Sequence, residues 1–170
     1  MVVDIQGNLA HMVYESDTLI HNTLMLIKAA KVLELPIIYL EQAPLKLGKT
    51  VITLSEELSP RSPITKHTFN ACAAPEFLDA LKQHTKQNWL VCGIEAHICV
   101  YQSVLGMLNL GYSVDVVCDA TSSRLAENKT LAINKLSRQG AAMTSVEMAL
   151  YELVGDSRTP AFKAILPLIK

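Results

Sequence analysis

The stretch Asn88-Trp89-Leu90-Val91-Cys92-Gly93 runs directly into Ile94-Glu95-Ala96-His97-Ile98-Cys99-Val100. Its first half is a continuous apolar run rather than an alternation of apolar and polar positions, the pattern of a strand covered on both faces. From about Ala96 to Asn109 the spacing predicts a helix, and Gly111 is well placed to close it in the left-handed conformation. A doubly buried strand feeding a helix is a building block of parallel sheets, so the rest of the chain is read outward from here as α/β.

Upstream, residues 1 to 5 read as strand one. Asp17-Thr18 can cap a helix whose apolar positions Ile20, Leu24, Ile27 and Ala30 fall at helical spacing and which Pro36 ends. Strand two is Pro36 to Leu40, followed by a loop from Glu41 to Thr50 broken by Pro44 and Gly48, and a short third strand ends near Lys66. Ala74 to His84 make a helix. Downstream, strand five is Tyr112 to Cys118, Ser122 or Ser123 can cap a helix to Gln139, and Ala141 to Thr144 make the last strand. Two more helices follow, Ser145 to Val154 and Thr159 to Ile169, the second opening with Pro160. Six strands and their crossovers predict a three-layer α/β sandwich with a six-stranded, Rossmann-like parallel sheet and right-handed connections. A length of 170 residues suits a single domain over 1–170. Because Met1 leads straight into Val2-Val3, either strand one is short or the chain continues upstream.

Composition narrows the partners. Fifteen basic residues stand against sixteen acidic ones, so no net field draws the chain to nucleic acid or to an anionic membrane, and a small molecule is the expected ligand. No apolar run approaches the roughly 20 residues that span a bilayer, and the start lacks signal-peptide features, which points to the cytoplasm. The four cysteines, Cys72, Cys92, Cys99 and Cys118, form no C-x-x-C pair, so free thiols in a reducing compartment are expected rather than a zinc site or disulfides. The turn Asp4-Ile5-Gln6-Gly7-Asn8 carries no G-x-G-x-x-G, which argues against a dinucleotide cofactor. Apolar helix faces around Met148-Ala149-Leu150 and Ile165 to Ile169 suggest a homo-oligomer.

In open parallel sheets, ligands sit beyond the carboxyl ends of the strands where strand order reverses. Asp4 after strand one, Lys66 at the end of strand three and Gly93 to Cys99 after strand four all fall there. Cys99 in the first turn of a helix would feel the positive end of the helix dipole, which lowers a thiol pKa and predicts faster alkylation than at the other three cysteines near neutral pH. The competing reading is a buried small hydrophobe, which suits Cys92 and Cys118 well. Asp4 could act as a base or simply as a turn residue, and Lys66 as a supporting cation or a solvated surface lysine. His97 lies two positions before Cys99, so on a helix the two point apart, and it is read as structural or pocket-lining.

Asp4, Lys66 and Cys99, in that order and context, resemble the catalytic Asp-Lys-Cys triad of the isochorismatase-like hydrolase superfamily. Gly93-Ile94-Glu95 with Cys99-Val100 matches its nucleophile signature. The resemblance implies a non-proline cis bond between Ile94 and Glu95 and an oxyanion hole made by the N–H groups of Glu95 and Cys99. The segments Glu41-Gln42-Ala43-Pro44, Leu47-Gly48 and Asp119 to Arg124 look most like the isochorismatase domain-containing branch. Metal-binding nicotinamidases of the superfamily have an Asp-x-His where this chain has Glu41-Gln42, so no metal is inferred. The retained cysteine implies cleavage of an amide or similar acyl bond by a cysteine hydrolase of unknown substrate. Glu95, if it faces the pocket, would favour a cationic or hydrogen-bond-donating group; otherwise it is a solvated or oligomer-contact residue. The alternative for the whole chain is a catalytically silent binding or scaffold protein that keeps the fold.

Overall fold

The structure is a computed structural model that describes residues 1–85 and 87–169. Six strands form one parallel sheet in the order β3-β2-β1-β4-β5-β6: β1 Val2–Val3, β2 Tyr39–Gln42, β3 Ile64–Lys66, β4 Asn88–Gly93, β5 Ser113–Thr121 and β6 Ala142–Thr144. The order reverses at β1, which pairs Val3 with Leu40 on one side and with Gly93 on the other. The described helices are α1 Leu9–Met12, α2 Ser16–Val32, α3 Pro44–Leu47, α4 Ile52–Leu58, α5 Pro75–Lys82, α6 Tyr101–Asn109, α7 Ala126–Arg138, α8 Val146–Val154 and α9 Pro160–Ile169.

Because successive side chains of a strand point to opposite faces, the sheet separates two apolar cores. Val2, Tyr39, Cys92 and Val117 pack with Leu26, Leu54, Leu58, Leu150 and Ile165, so α2, α4, α8 and α9 cover one face. Val3, Leu40, Val91 and Val116 pack with Phe77, Val104, Met107 and Leu136, placing α5, α6 and α7 on the other. The three-layer α/β sandwich expected from the sequence is the observed architecture.

Several boundaries differ, each for a tertiary reason. Strand β2 starts at Tyr39 rather than Pro36, because its neighbour β1 begins only at Val2, whose partner is Tyr39. Strand β5 continues past Cys118 to Thr121, where a register shift brings Thr121 opposite Gly93. Neither Ser122 nor Ser123 caps α7; that helix follows Leu125, which makes no side-chain cap, while Ser122 Oγ donates to Tyr14 O at 2.5 Å. Helix α2 likewise starts one residue before Asp17 without a side-chain cap. Helix α3 lies in the stretch read as loop, and α4 was not anticipated: its buried pair Leu54 and Leu58 is too short a pattern to reveal a period. Of the apolar faces read as oligomer contacts, Ala149, Leu150 and Ile165 are buried in this chain's own core, whereas Met148 stays exposed.

Candidate active site at the carboxyl edge of the sheet

Asp4 is the first residue beyond β1 and adopts a left-handed backbone with φ of +51°. Few residues other than glycine and Asn or Asp tolerate that conformation, so the chain turns sharply here at some conformational cost. The turn leaves the carboxylate buried, with 3% of the residue exposed. Lys66, the last residue of β3, lies one strand beyond β2 and is 2% exposed. Its Nζ donates to Asp4 Oδ2 at 2.7 Å, to Gln42 Oε1 at 2.7 Å and to the Thr68 carbonyl at 3.3 Å. An ammonium group has three protons, and here each has an acceptor. Asp4 Oδ1, in contrast, is buried and has no hydrogen-bond partner among the described residues.

Strand β4 approaches β1 so closely at Gly93 that a Cβ there would lie 2.1 Å from Val3 O. Only glycine fits this contact, and its φ of +129° suits no other residue. The Ile94-Glu95 peptide bond is cis. Next comes a single π-helical turn, Ala96–Val100, before α6 begins, so Cys99 lies in a π turn rather than in the first α-turn read from the sequence. Within this turn the Ala96 N–H donates to Ser122 O, and those of Ile98 and Val100 both donate to Glu95 O. The N–H groups of Glu95 and Cys99 are interleaved with these committed donors.

The site's electrostatics correct one expectation. The Cys99 thiol is pushed up to about 12, first by burial and then by the negative charge of Asp4; Lys66 pulls the other way but does not prevail. A short helical opening therefore does not make Cys99 a resting thiolate, because desolvation and an adjacent carboxylate outweigh the dipole. Burial also lifts Cys72 and Cys92 to about 11, so selective alkylation of Cys99 near neutral pH is no longer expected. Burial likewise lifts the Asp4 carboxyl above its ordinary value, with the charge and hydrogen bond of Lys66 opposing the rise. A raised pKa makes this carboxylate a stronger base.

Glu95 does not offer a free charge to a ligand. Its carboxylate accepts the Arg124 N–H at 2.9 Å and Arg124 Nε at 3.1 and 3.3 Å. Burial works to raise the Glu95 pKa, yet the bonds from Arg124 outweigh it and hold the group below the ordinary value. His97, read from the sequence as structural or pocket-lining, has Nδ1 2.9 Å from Ser123 Oγ and Nε2 3.5 Å from Asn128 Nδ2. Two site residues went unrecognised in the sequence. Gln42 holds Lys66, while Gln6 accepts the Gln42 N–H and donates to the carbonyls of Gln42 and Gly48. The readable signal was the place of Gln42 just after strand two; in the sequence it served the branch resemblance and the argument against a metal, and no contact with Lys66 was foreseen. Among the described residues, no three His, Cys, Asp or Glu side chains converge as a metal-binding group.

Asp4, Gln42, Glu95 and Cys99 share a cavity of about 110 Å³, with Leu47 and Phe69 on its apolar side. The arrangement pairs a nucleophilic atom with a carboxylate oxygen that has no other partner, backed by a buried cation.

The isochorismatase domain model matches residues 1–148. The secreted isochorismatase effector Isc1 of Phytophthora sojae is 35% identical over 99% of this chain and 82% of its own length. Human isochorismatase domain-containing protein 2 is 34% identical over 98% of this chain and 80% of its own. Among solved structures, MAR1 ribonuclease from Caenorhabditis elegans superposes with a TM-score of 0.92 at 39% identity, covering 99% of this chain and 86% of that one. The Escherichia coli YcaC gene product, described as an octameric hydrolase of unknown specificity, superposes with a TM-score of 0.93 at 26% identity, covering 99% and 84%.

Proposed function

The chain belongs to the isochorismatase family, and from that premise we propose that it is a cysteine hydrolase of a small amide or related acyl compound. In this proposal Cys99 is the nucleophile, Asp4 the general base and acid, and Lys66 the cation that orients Asp4. The observation that carries the reading is the divided use of one carboxylate. Oδ2 is held by Lys66, whereas Oδ1, buried and unpartnered, belongs to a residue that lines the same cavity as the thiol.

Because the resting thiol keeps its proton, attack and proton transfer are coupled. Cys99 Sγ bonds to the carbonyl carbon as its proton passes to Asp4, and the N–H groups of Glu95 and Cys99 receive the developing oxyanion. The C–N bond then breaks, and Asp4 returns the proton to the leaving nitrogen. In the second half, water bonds to the acyl carbon while giving a proton to Asp4. The C–S bond breaks, the sulfur regains that proton, and the acid departs. Lys66 keeps Asp4 aimed and ionised between these transfers.

The test is intact-mass detection of an acyl adduct on Cys99 after exposure to activated esters, with Cys99→Ala as the blank. No adduct, and no turnover across a panel of small amides and esters, would leave a binding protein that retains the fold. The name of the C. elegans neighbour raises RNA as a second substrate. Against it stand the net charge of −1, the full commitment of Lys66 to protein acceptors, and a cavity well below the roughly 300 Å³ of pockets for drug-sized ligands. Cleavage of an RNA oligonucleotide that disappears in Cys99→Ala would favour the ribonuclease instead.

The octameric E. coli neighbour and the exposed Met148, Tyr151 and Leu153 on α8 support assembly into a homo-oligomer. Among the described residues, no helix is long and apolar enough to cross a membrane. Four free cysteines suit a reducing cytoplasm, although the P. sojae relative is described as secreted.

A further inference from the structure

We infer that the Cys99 cavity takes the acyl half of a short, uncharged, aliphatic primary amide of about two to four carbons, and turns away carboxylates and aromatic acyl groups. This inference rests on the cysteine-hydrolase reading and narrows it.

Size sets the first limit. The cavity holds about 110 Å³, whereas benzene occupies an apolar cavity of about 150 Å³. An amide group with a short chain fits inside, whereas an aromatic ring would extend past the exposed rim. The walls cannot easily give way, because α3 is clamped from behind. Gln6 Nε2 donates to Gly48 O at 2.6 Å, the Gly7 N–H donates to Lys49 O at 2.9 Å, and Gly7 stands so close that a Cβ there would lie 1.9 Å from Leu47 O. Leu47 and Phe69, both exposed, form the apolar rim of the cavity.

Charge sets the second limit. Every polar side chain lining the cavity, apart from Asp4 and Cys99, is already engaged. Gln6 and Gln42 bond within the protein, and Glu95 is neutralised by Arg124. Lys66, behind Asp4, has three protein acceptors. A substrate carboxylate would thus enter an apolar cavity beside Asp4 without a cation to receive it, which is costly. Asp4 Oδ1, buried beside the thiol and held by no other group, is placed to take the thiol proton and return it. An –NH2 leaving group needs that proton to depart, so the arrangement suits an amide. During the reaction the acyl C–N bond breaks, the Sγ–C bond forms, and the thiol proton leaves with the nitrogen as ammonia. Water then releases the short carboxylic acid, whose own charge the cavity does not retain.

The experiment compares Cys99 acylation by p-nitrophenyl acetate, butyrate, hexanoate, benzoate and hydrogen succinate, using the nitrophenolate burst and intact mass. The wild-type chain, Leu47→Ala and Phe69→Ala are measured side by side. Acetyl and butyryl transfer should exceed hexanoyl and benzoyl transfer by about 10-fold or more, since apolar pockets discriminate by about that much per misfit group. Succinyl, the charged counterpart of butyryl, should be slower by about 100-fold. Leu47→Ala or Phe69→Ala should raise the ratio of hexanoyl to acetyl transfer by about 10-fold. Ammonia release should likewise be faster from propionamide than from hexanamide or succinamate. If Cys99 is acylated with no dependence on chain length or charge, or esters react while propionamide releases no ammonia, the inference fails and the hydrolase reading stands. If no ester acylates Cys99 and no amide releases ammonia, the hydrolase reading fails and the inference with it.

Discussion

The two ends of the sheet hold two different cavities. At the amino end, a space of about 260 Å³ lies among Leu26, Ile27, Leu35, Trp89, Leu150 and Leu153, and no ionisable side chain lines it. At the carboxyl end the space is less than half as large, about 110 Å³, yet Asp4, Glu95 and Cys99 border it and Lys66 stands behind. Volume therefore does not mark the site. A buried ion pair does, because such a pair removed from water stabilises a fold weakly at best and persists where it has another use. The amino end has the composition of an imperfectly filled core, and the carboxyl end that of a site where polar and apolar groups converge.

The largest expected break in this contrast is at the sulfur. Cys99→Ala should lower turnover of the best short-chain substrate by about 10⁶-fold while the circular dichroism spectrum is unchanged; residual activity near wild type would remove Cys99 from the chemistry. Asp4→Asn should cost about 10³-fold in kcat. In the wild-type chain the rate should climb as pH rises through the Asp4 pKa, which burial places above the ordinary carboxylate range. The sign for stability is opposite. A carboxyl whose folded pKa is raised binds its proton more tightly when folded, so its contribution is present below the unfolded pKa and lost as pH rises through the folded one. Ionised Asp4, the form that the proposed base requires, thus costs the fold some stability.

Lys66→Met should destabilise the protein by about 3 kcal/mol, because it leaves a buried carboxylate without its partner; chemical denaturation measures this. With the thiol pushed up to about 12, alkylation of Cys99 should still be increasing well above the ordinary thiol pKa of about 8.5. A plateau near neutral pH would restore the resting thiolate that position alone had suggested. The smallest effect belongs to the other end of the sheet. Ala30→Leu, which adds volume to the amino-end cavity, should change stability by about 1 kcal/mol or less and leave kcat/KM unaltered.

The sequence made the fold legible wherever the signal was local and long. The unbroken run Asn88–Gly93 announced a doubly buried strand, and the helix positions around Leu24 and Ile27 announced the layer above it. It was less informative wherever an element depends on its neighbour, as with the start of β2 and the two-turn helix α4. Asp4, Lys66 and Cys99 could be nominated because each ends or follows a strand at the switch point. Gln6 could not, since its role is visible only once α3 folds back over it.

From residue order alone came the alternation of strands and helices, the place where strand order reverses, and the identities of the three residues that meet there. All of these depend on periodicity and on position relative to strand ends, which are properties of short stretches of chain. Only the tertiary structure decided that the thiol rests protonated, that Glu95 belongs to Arg124, and that the cavity is small and apolar. Desolvation, ion pairing and cavity size arise from groups far apart in sequence, such as Asp4 and Lys66 or Glu95 and Arg124, and exist only after those groups are brought together.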